Sequence, residues 1–260
     1  MTMQCRAVGA TFLAALLCSG CVSTKYQLVR HGTAPVQSLD RPFPVSGTLE
    51  ASLAALITYH GPGSWKREAL WDEYVVTLRN GGQVPITVGY ATLTDSAGGI
   101  VVPGTDPWEL EKQSRGLEKQ YRTRGEGFVR AAGPGVLLVG GGAAAAAATA
   151  SGWALVSPAA AGAALTVVFV LPVYYTTVLA INYHNKHQVV DEFQRRRLAA
   201  PLTLAPGEAR TVSLFFPMIR SPRALDLHGS SEAGETQASL PLEFLRDLHL
   251  PARGASASGE

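Results

Sequence analysis

Three side chains in the stretch HNKHQVVD have the types and spacing of a metal site. His184, His187 and Asp191 fall at i, i+3 and i+7, so a helix would set two imidazoles and a carboxylate on one face. A polar interfacial stripe is the commoner use of that pattern. GPGSWK at 61–66 has the look of a phosphate loop but lacks the GxxxxGK[ST] spacing and a following helix. It reads as a loop between strands, with Trp65 packed on them. Asp72 and Glu73 follow Trp71 at the start of a strand. Carboxylates that share acid–base work must oppose each other across a substrate, and chain neighbours do not, so these read as solvated. No GxSxG and no HExxH occurs. The residues therefore point to no enzyme, no catalytic group and no cofactor.

Cys21 carries the clearest chemistry. All three cysteines, Cys5, Cys18 and Cys21, lie in the first twenty-one residues. Arg6 supplies a positive charge, AVGATFLAALL supplies an apolar run too short to span a bilayer, and Ser19 and Gly20 are small. This LLCSGC stretch resembles the lipobox of bacterial lipoproteins. That resemblance implies that residues 1–20 are a signal peptide, and that Cys21 is acylated through its thiol and becomes the mature N-terminus. It also implies a lipid-anchored protein of the bacterial cell envelope that faces the periplasm, on either the inner or the outer membrane. After cleavage no internal disulfide can form, so stability rests on packing. Residues 21–46, with Pro35, Pro42 and Pro44, read as a lipidated tether. A net charge of +2, with no basic run interleaved with aromatics, argues against nucleic acid.

Two groups of strands follow from period-two alternation. In DEYVVTLRNGG, Tyr74, Val76 and Leu78 alternate with Val75, Thr77 and Arg79 before an Asn80-Gly81-Gly82 turn. VPITVGYATL puts Val84, Ile86, Val88 and Tyr90 on one face, and a second turn at Asp95–Gly99 leads to a short strand at 100–102. Upstream, 56–59 reads as strand, while LEASLAAL suits helix as well. Near the C-terminus a Pro206-Gly207 turn precedes Val212, Leu214 and Phe216, which alternate with Thr211, Ser213 and Phe215. ALDLH and SLPLEFL add strands, the latter with Leu240, Leu242 and Phe244 on one face and Pro241 marking an edge. LRN followed by PITV, and then LAPGEARTVSLFFP, resemble strand pairs of immunoglobulin-like modules in bacterial envelope proteins. The expected fold is β-rich (α+β): an immunoglobulin-like antiparallel β-sandwich in two parts, 47–103 and 201–250, with a disordered tail at 251–260.

Between the parts lies an insertion, 104–200, expected to be a long helical hairpin partly embedded in membrane. Asp106 is suited to cap a helix, Pro107 to begin it and Glu109 to complete a capping box. Leu110, Leu117 and Tyr121 share a helical face. Glu111/Arg115 and Glu118/Arg122 are favourable pairs four residues apart, worth about a few tenths of a kcal/mol each. From Pro134 to Tyr183 there is no formal charge. That length fits two apolar spans, 134–156 and 160–183, with a turn between them. Gly142, Ala146 and Ala150 form a small-residue stripe for helix packing. Arginines flank the run on both sides, a cytoplasmic signature that conflicts with the lipobox, and the lipobox takes precedence. After Tyr183 the helix continues, with Val189, Val190 and Phe193 set to pack on the Leu110/Leu117/Tyr121 face. Arg195–Arg197 suit its C-terminus. With one sandwich, Asp106 to Ala199 should be replaceable by a short linker.

These features imply a non-enzymatic envelope lipoprotein acting as an interaction or scaffolding module. An accessory subunit of an envelope transport or export complex is the alternative. Expected partners are membrane lipid and either a second copy or a polytopic membrane protein, with no nucleic acid.

Overall fold

The computed structural model describes residues 26–29, 41–42, 45–61, 63–130 and 167–251, with only the backbone path for 41–42, 45–46 and 167–181. The signal peptide, Cys21, the first span with Gly142, Ala146 and Ala150, and nearly all of the tail lie outside the described residues. The elements are β1 Arg41–Pro42, β2 Val45–Ser46, β3 Leu49–Ile57, β4 Asp72–Asn80, β5 Ile86–Thr94, β6 Ile100–Val101, α1 Pro107–Thr123, α2 Val167–Arg196, β7 Leu202–Leu204, β8 Ala209–Phe216, β9 Ala224–Ser231 and β10 Gly234–Pro241.

The strands make two antiparallel sheets, ordered β1-β3-β4-β8 and β2-β10-β9-β5-β6, with β7 also on β5. The chain is thus a β-rich α+β sandwich. Each sheet pairs a strand from before the insertion with one from after it. In the first, Tyr74 opposes Leu214 and Val76 opposes Val212; in the second, Ala91 opposes Leu227 and Leu93 opposes Leu225. Leu49, Leu53, Tyr74, Val76, Leu78 and Leu214 from one sheet meet Ile86, Val88, Leu93, Leu225, Leu227 and Leu240 from the other in a single apolar core. Leu242, Leu245 and Leu248 seal one end of it, around a 3-10 turn at Glu243–Leu245.

Local chemistry accounts for most boundaries. The Asp106 carboxylate accepts from the backbone N–H groups of Trp108 and Glu109, and Pro107 opens α1. Gly125, at φ 70°, follows the α1 C-cap in the left-handed region that glycine reaches without strain. Gly207, at φ 74°, turns the chain into β8.

Three readings of the sequence change. LEASLAAL is strand, because Leu49, Ala51 and Leu53 find core partners across β4 and pairing overrides local helix preference. Tyr90 does not share the inner face with Ile86 and Val88: a bulge between Val88 and Tyr90 shifts the phase, so that Ala91 and Leu93 continue the core and Tyr90 turns outward. The last strand stops at Pro241, after which Leu242 enters the core and Phe244 is only half-buried in the 3-10 turn.

A third layer covers the outer face of the first sheet. Trp65, Ala69, Trp71, Leu110, Val189, Phe193 and Phe215 form a second apolar cluster there. Val189 and Phe193 pack with Leu110 as expected. Leu117 instead joins the main core, and Tyr121 stacks on Phe128. Both α1 and the last turns of α2 therefore belong to the folded core, and cutting out Asp106 to Ala199 would strip it. Among the described residues no helix is long and apolar enough to cross a membrane.

Candidate functional site at the foot of the insertion

Asp72 and Glu73 are buried, each only 1% exposed, and not solvated as their chain position suggests. Strand alternation sends them to opposite faces of β4. Asp72 points with Tyr74 toward the sandwich interior. Glu73 points to the helical layer. Each acid holds one leg of the insertion.

Asp72 holds the outgoing leg through His249. The imidazole Nε2 lies 2.9 Å from Asp72 Oδ2, and Nδ1 lies 2.9 Å from the carbonyl oxygen of Val129. The Val129 N–H in turn donates to the His249 carbonyl, at 3.0 Å. The two ring nitrogens thus face the Val129 carbonyl and the Asp72 carboxylate. His249 is wholly buried, and its backbone sits in the left-handed region at φ 58°. The phenol of Tyr74, two residues along the same face, is buried with no hydrogen-bond partner among the described residues. Burial first, and the nearby Asp72 charge second, hold its pKa well above the ordinary phenol value. Phe128 stacks between Tyr121 and His249, with ring centroids 5.5 Å from each. Arg130 donates from Nε and one terminal nitrogen to Glu118, which also pairs with Arg122 at 2.7 Å.

Glu73 holds the returning leg. Trp65 donates to it from Nε1 at 2.8 Å and Ser213 from its hydroxyl at 2.6 Å. The Arg196 guanidinium lies 3.7 Å from the same carboxylate and 5.4 Å over the Trp65 ring. Burial raises the Glu73 pKa, against the opposing pull of those two hydrogen bonds and of Arg196. Next to these groups Phe193 stacks on Phe215, with centroids 4.2 Å apart, and Gln194 donates to the Thr105 carbonyl.

A third buried charge docks α1. The Lys66 ammonium is 2.7 Å from Glu111, donates to the Glu68 carbonyl and lies over the rings of Trp71 and Trp108. Glu111 and Glu118 do pair with Arg115 and Arg122 one turn on. Both acids are buried, however, so these are not simple surface pairs. Removing one partner of a buried pair costs about 3–5 kcal/mol, well above the scale of an exposed one.

The arrangement ties both legs of the insertion to β4. The crevice beside Glu73, lined by Ile57, Thr58, Ser64, Trp65 and Trp71, has no room for a water molecule. Sequence reasoning missed the burial of Lys66, Asp72, Glu73 and His249. The available signal, for the first three, was a lysine and two acids placed next to Trp65 and Trp71 in SWKREALWDE. His184, His187 and Asp191 are exposed on α2, and His184 contacts Gln188 at 2.9 Å. Among the described residues no group of three His, Cys, Asp or Glu side chains could hold a metal ion. Compared with family models, curated proteins and solved structures, the chain matches none of them.

Proposed function

We propose that this chain is a non-enzymatic lipoprotein of the bacterial cell envelope, an interaction or scaffolding module held by a lipid on Cys21 and by an inserted apolar hairpin. The observation that carries the reading is the double tie at β4. Adjacent residues of one strand hold the outgoing leg at Val129 and the returning leg at Arg196. The legs that lead to and from residues 131–166 are thereby fixed to the sandwich at Val129 and Arg196, which suits a scaffold.

An immunoglobulin-like description is supported by connectivity. β3, β4 and β8 share one sheet, and β5, β9 and β10 the other, with the chain crossing between sheets from β4 to β5 and from β8 to β9. Those are the relations of strands A, B, E and C, F, G in that fold. The membrane part rests on the uncharged run from Pro134 to Tyr183 and on the lipobox-like LLCSGC.

The test removes the lipid. Residues 1–21 are replaced by a cleavable secretory signal, and membranes are extracted with alkaline carbonate. The hairpin reading expects the protein to stay in the pellet, and full release would overturn it. In parallel, Cys21→Ser should abolish uptake of labelled fatty acid. Crosslinking in membranes then separates the two roles: a ladder of self-adducts supports the scaffold, and a single polytopic partner supports the accessory subunit.

A further inference from the structure

The outer face of the second sheet carries a groove of about 610 Å³ that the ties at β4 do not involve. Its walls come from the middle of the sheet: Thr87 and Tyr90 on β5, His228 and Ser230 on β9, Glu235 and Gln237 on β10. We propose that this groove binds a saccharide, with the Tyr90–His228 pair as its stacking platform.

The bulge is the first reason. Regular pairing would carry Tyr90 into the core behind Ile86 and Val88. The extra residue at Gly89 instead turns the phenol ring out, where it is 55% exposed. Bulges recur where a strand must re-aim a side chain toward a binding site. Tyr90 does not fold back over apolar surface. It lies flat against His228, with ring centroids 4.3 Å apart and planes 15° from parallel. That pairing covers one face of each ring and orients the tyrosine, and both rings line the groove.

Second, Gly89 lines the groove beside Tyr90 and adds no side chain to it; a Cβ there would meet only the His228 carbonyl, at 4.0 Å.

Third, the wall chemistry suits a neutral ligand rich in hydroxyls. Among the described residues no Lys or Arg lines the groove, so a phosphate, a nucleic acid or an anionic headgroup would meet neither there. β5 and β9, which carry the ring pair, are interior strands of the sheet. An apolar ligand would meet hydroxyls, an amide and a carboxylate on most sides. A pyranose fits each of these surfaces. Its C–H face is weakly positive and complements the negative face of an aromatic ring. Its hydroxyls can donate to the Glu235 carboxylate and both donate to and accept from the Ser230 hydroxyl, beside the Gln237 amide that reaches Asp226 and the Thr87 hydroxyl that pairs with Thr203. The volume lies within the range of ordinary ligand pockets, roughly 300–1,000 Å³, enough for a short stretch of sugar rings. The proposal does not depend on how the protein meets the membrane.

The test uses the full chain in detergent and two tetrasaccharides: one of N-acetylglucosamine, and one of glucose that lacks acetamido groups. Binding is read by saturation-transfer NMR and titration calorimetry. At least one oligosaccharide should bind, and Tyr90→Ala should weaken it by about tenfold or more while Tyr90→Trp retains it. Preference between the two sugars tells whether the acetamido group is read. Hydrogen exchange at Ile86–Thr94 should be unchanged in Tyr90→Ala, which separates a lost platform from a lost fold. Failure of both sugars to bind the parent chain, or undiminished binding to Tyr90→Ala with β5 intact, overturns the proposal.

Discussion

The two sheets present outer faces of similar alternating sequence and opposite fate. On the first sheet that face is covered: Glu73, Ser213 and Phe215 lie beneath Trp65, Trp71, Val189 and Phe193. On the second it is open. Thr87, Thr92 and Thr94 are half-buried and Tyr90 stands out from the sheet. A strand's outward residues report only that they are not in the inner core. What covers them is decided elsewhere in the chain. The covered face carries the ties to the insertion, whereas the described residues leave the outer face of the second sheet exposed.

That contrast can be broken at the helical layer first. Deleting Asp106 to Ala199 removes Leu110, Val189 and Phe193, and should leave an unfolded or aggregating chain by circular dichroism and gel filtration. Replacing only 131–181 with a Gly/Ser linker keeps those residues and should preserve cooperative unfolding. If the longer deletion folds as well as the shorter one, the helical layer is dispensable. Next in size is Phe215→Ala, which should lose about 3–5 kcal/mol in urea denaturation. His249→Ala strips Asp72 of its partner and should cost a similar or slightly smaller amount, about 3 kcal/mol. Its distinguishing readout is hydrogen exchange at Val129, whose N–H donates to the His249 carbonyl and should lose protection more than β5 does.

A smaller effect is expected from titration. Burial raises the folded-state pKa of Glu73 above its ordinary value of 4.5, so the folded protein holds this proton more tightly than the unfolded chain. Its contribution is fully present below that ordinary value and is lost as pH rises through the raised one. Glu73→Gln should therefore gain stability relative to the parent as pH climbs from 4 toward 7. A constant difference between the two across that range would show that Glu73 is not shifted upward. Smallest of all, Thr87→Ala on the open face should change stability by no more than about 0.5 kcal/mol. A loss as large as that of Phe215→Ala would erase the contrast between the faces.

Much of this fold was legible in short stretches. The alternation over Asp72–Asn80 and Ala209–Phe216 places both strands, and Asp106 with Pro107 places the start of α1. These features depend on neighbours within a few residues, so the sequence carries them directly. The clamp was not legible. Its bonds join residues 177 apart, His249 to Asp72, and 140 apart, Ser213 to Glu73.

By itself, then, the sequence determined the strand pattern, the helix cap, the uncharged Pro134–Tyr183 run and the small-residue context of Cys21. Only the tertiary structure decided that Asp72 and Glu73 are buried on opposite faces, that Lys66 lies beneath α1, and that Tyr90 faces outward. The reason is physical. Side-chain alternation is set by backbone geometry one residue at a time. Burial, and with it the protonation and partner of a charged group, depends on which distant element comes to rest over it.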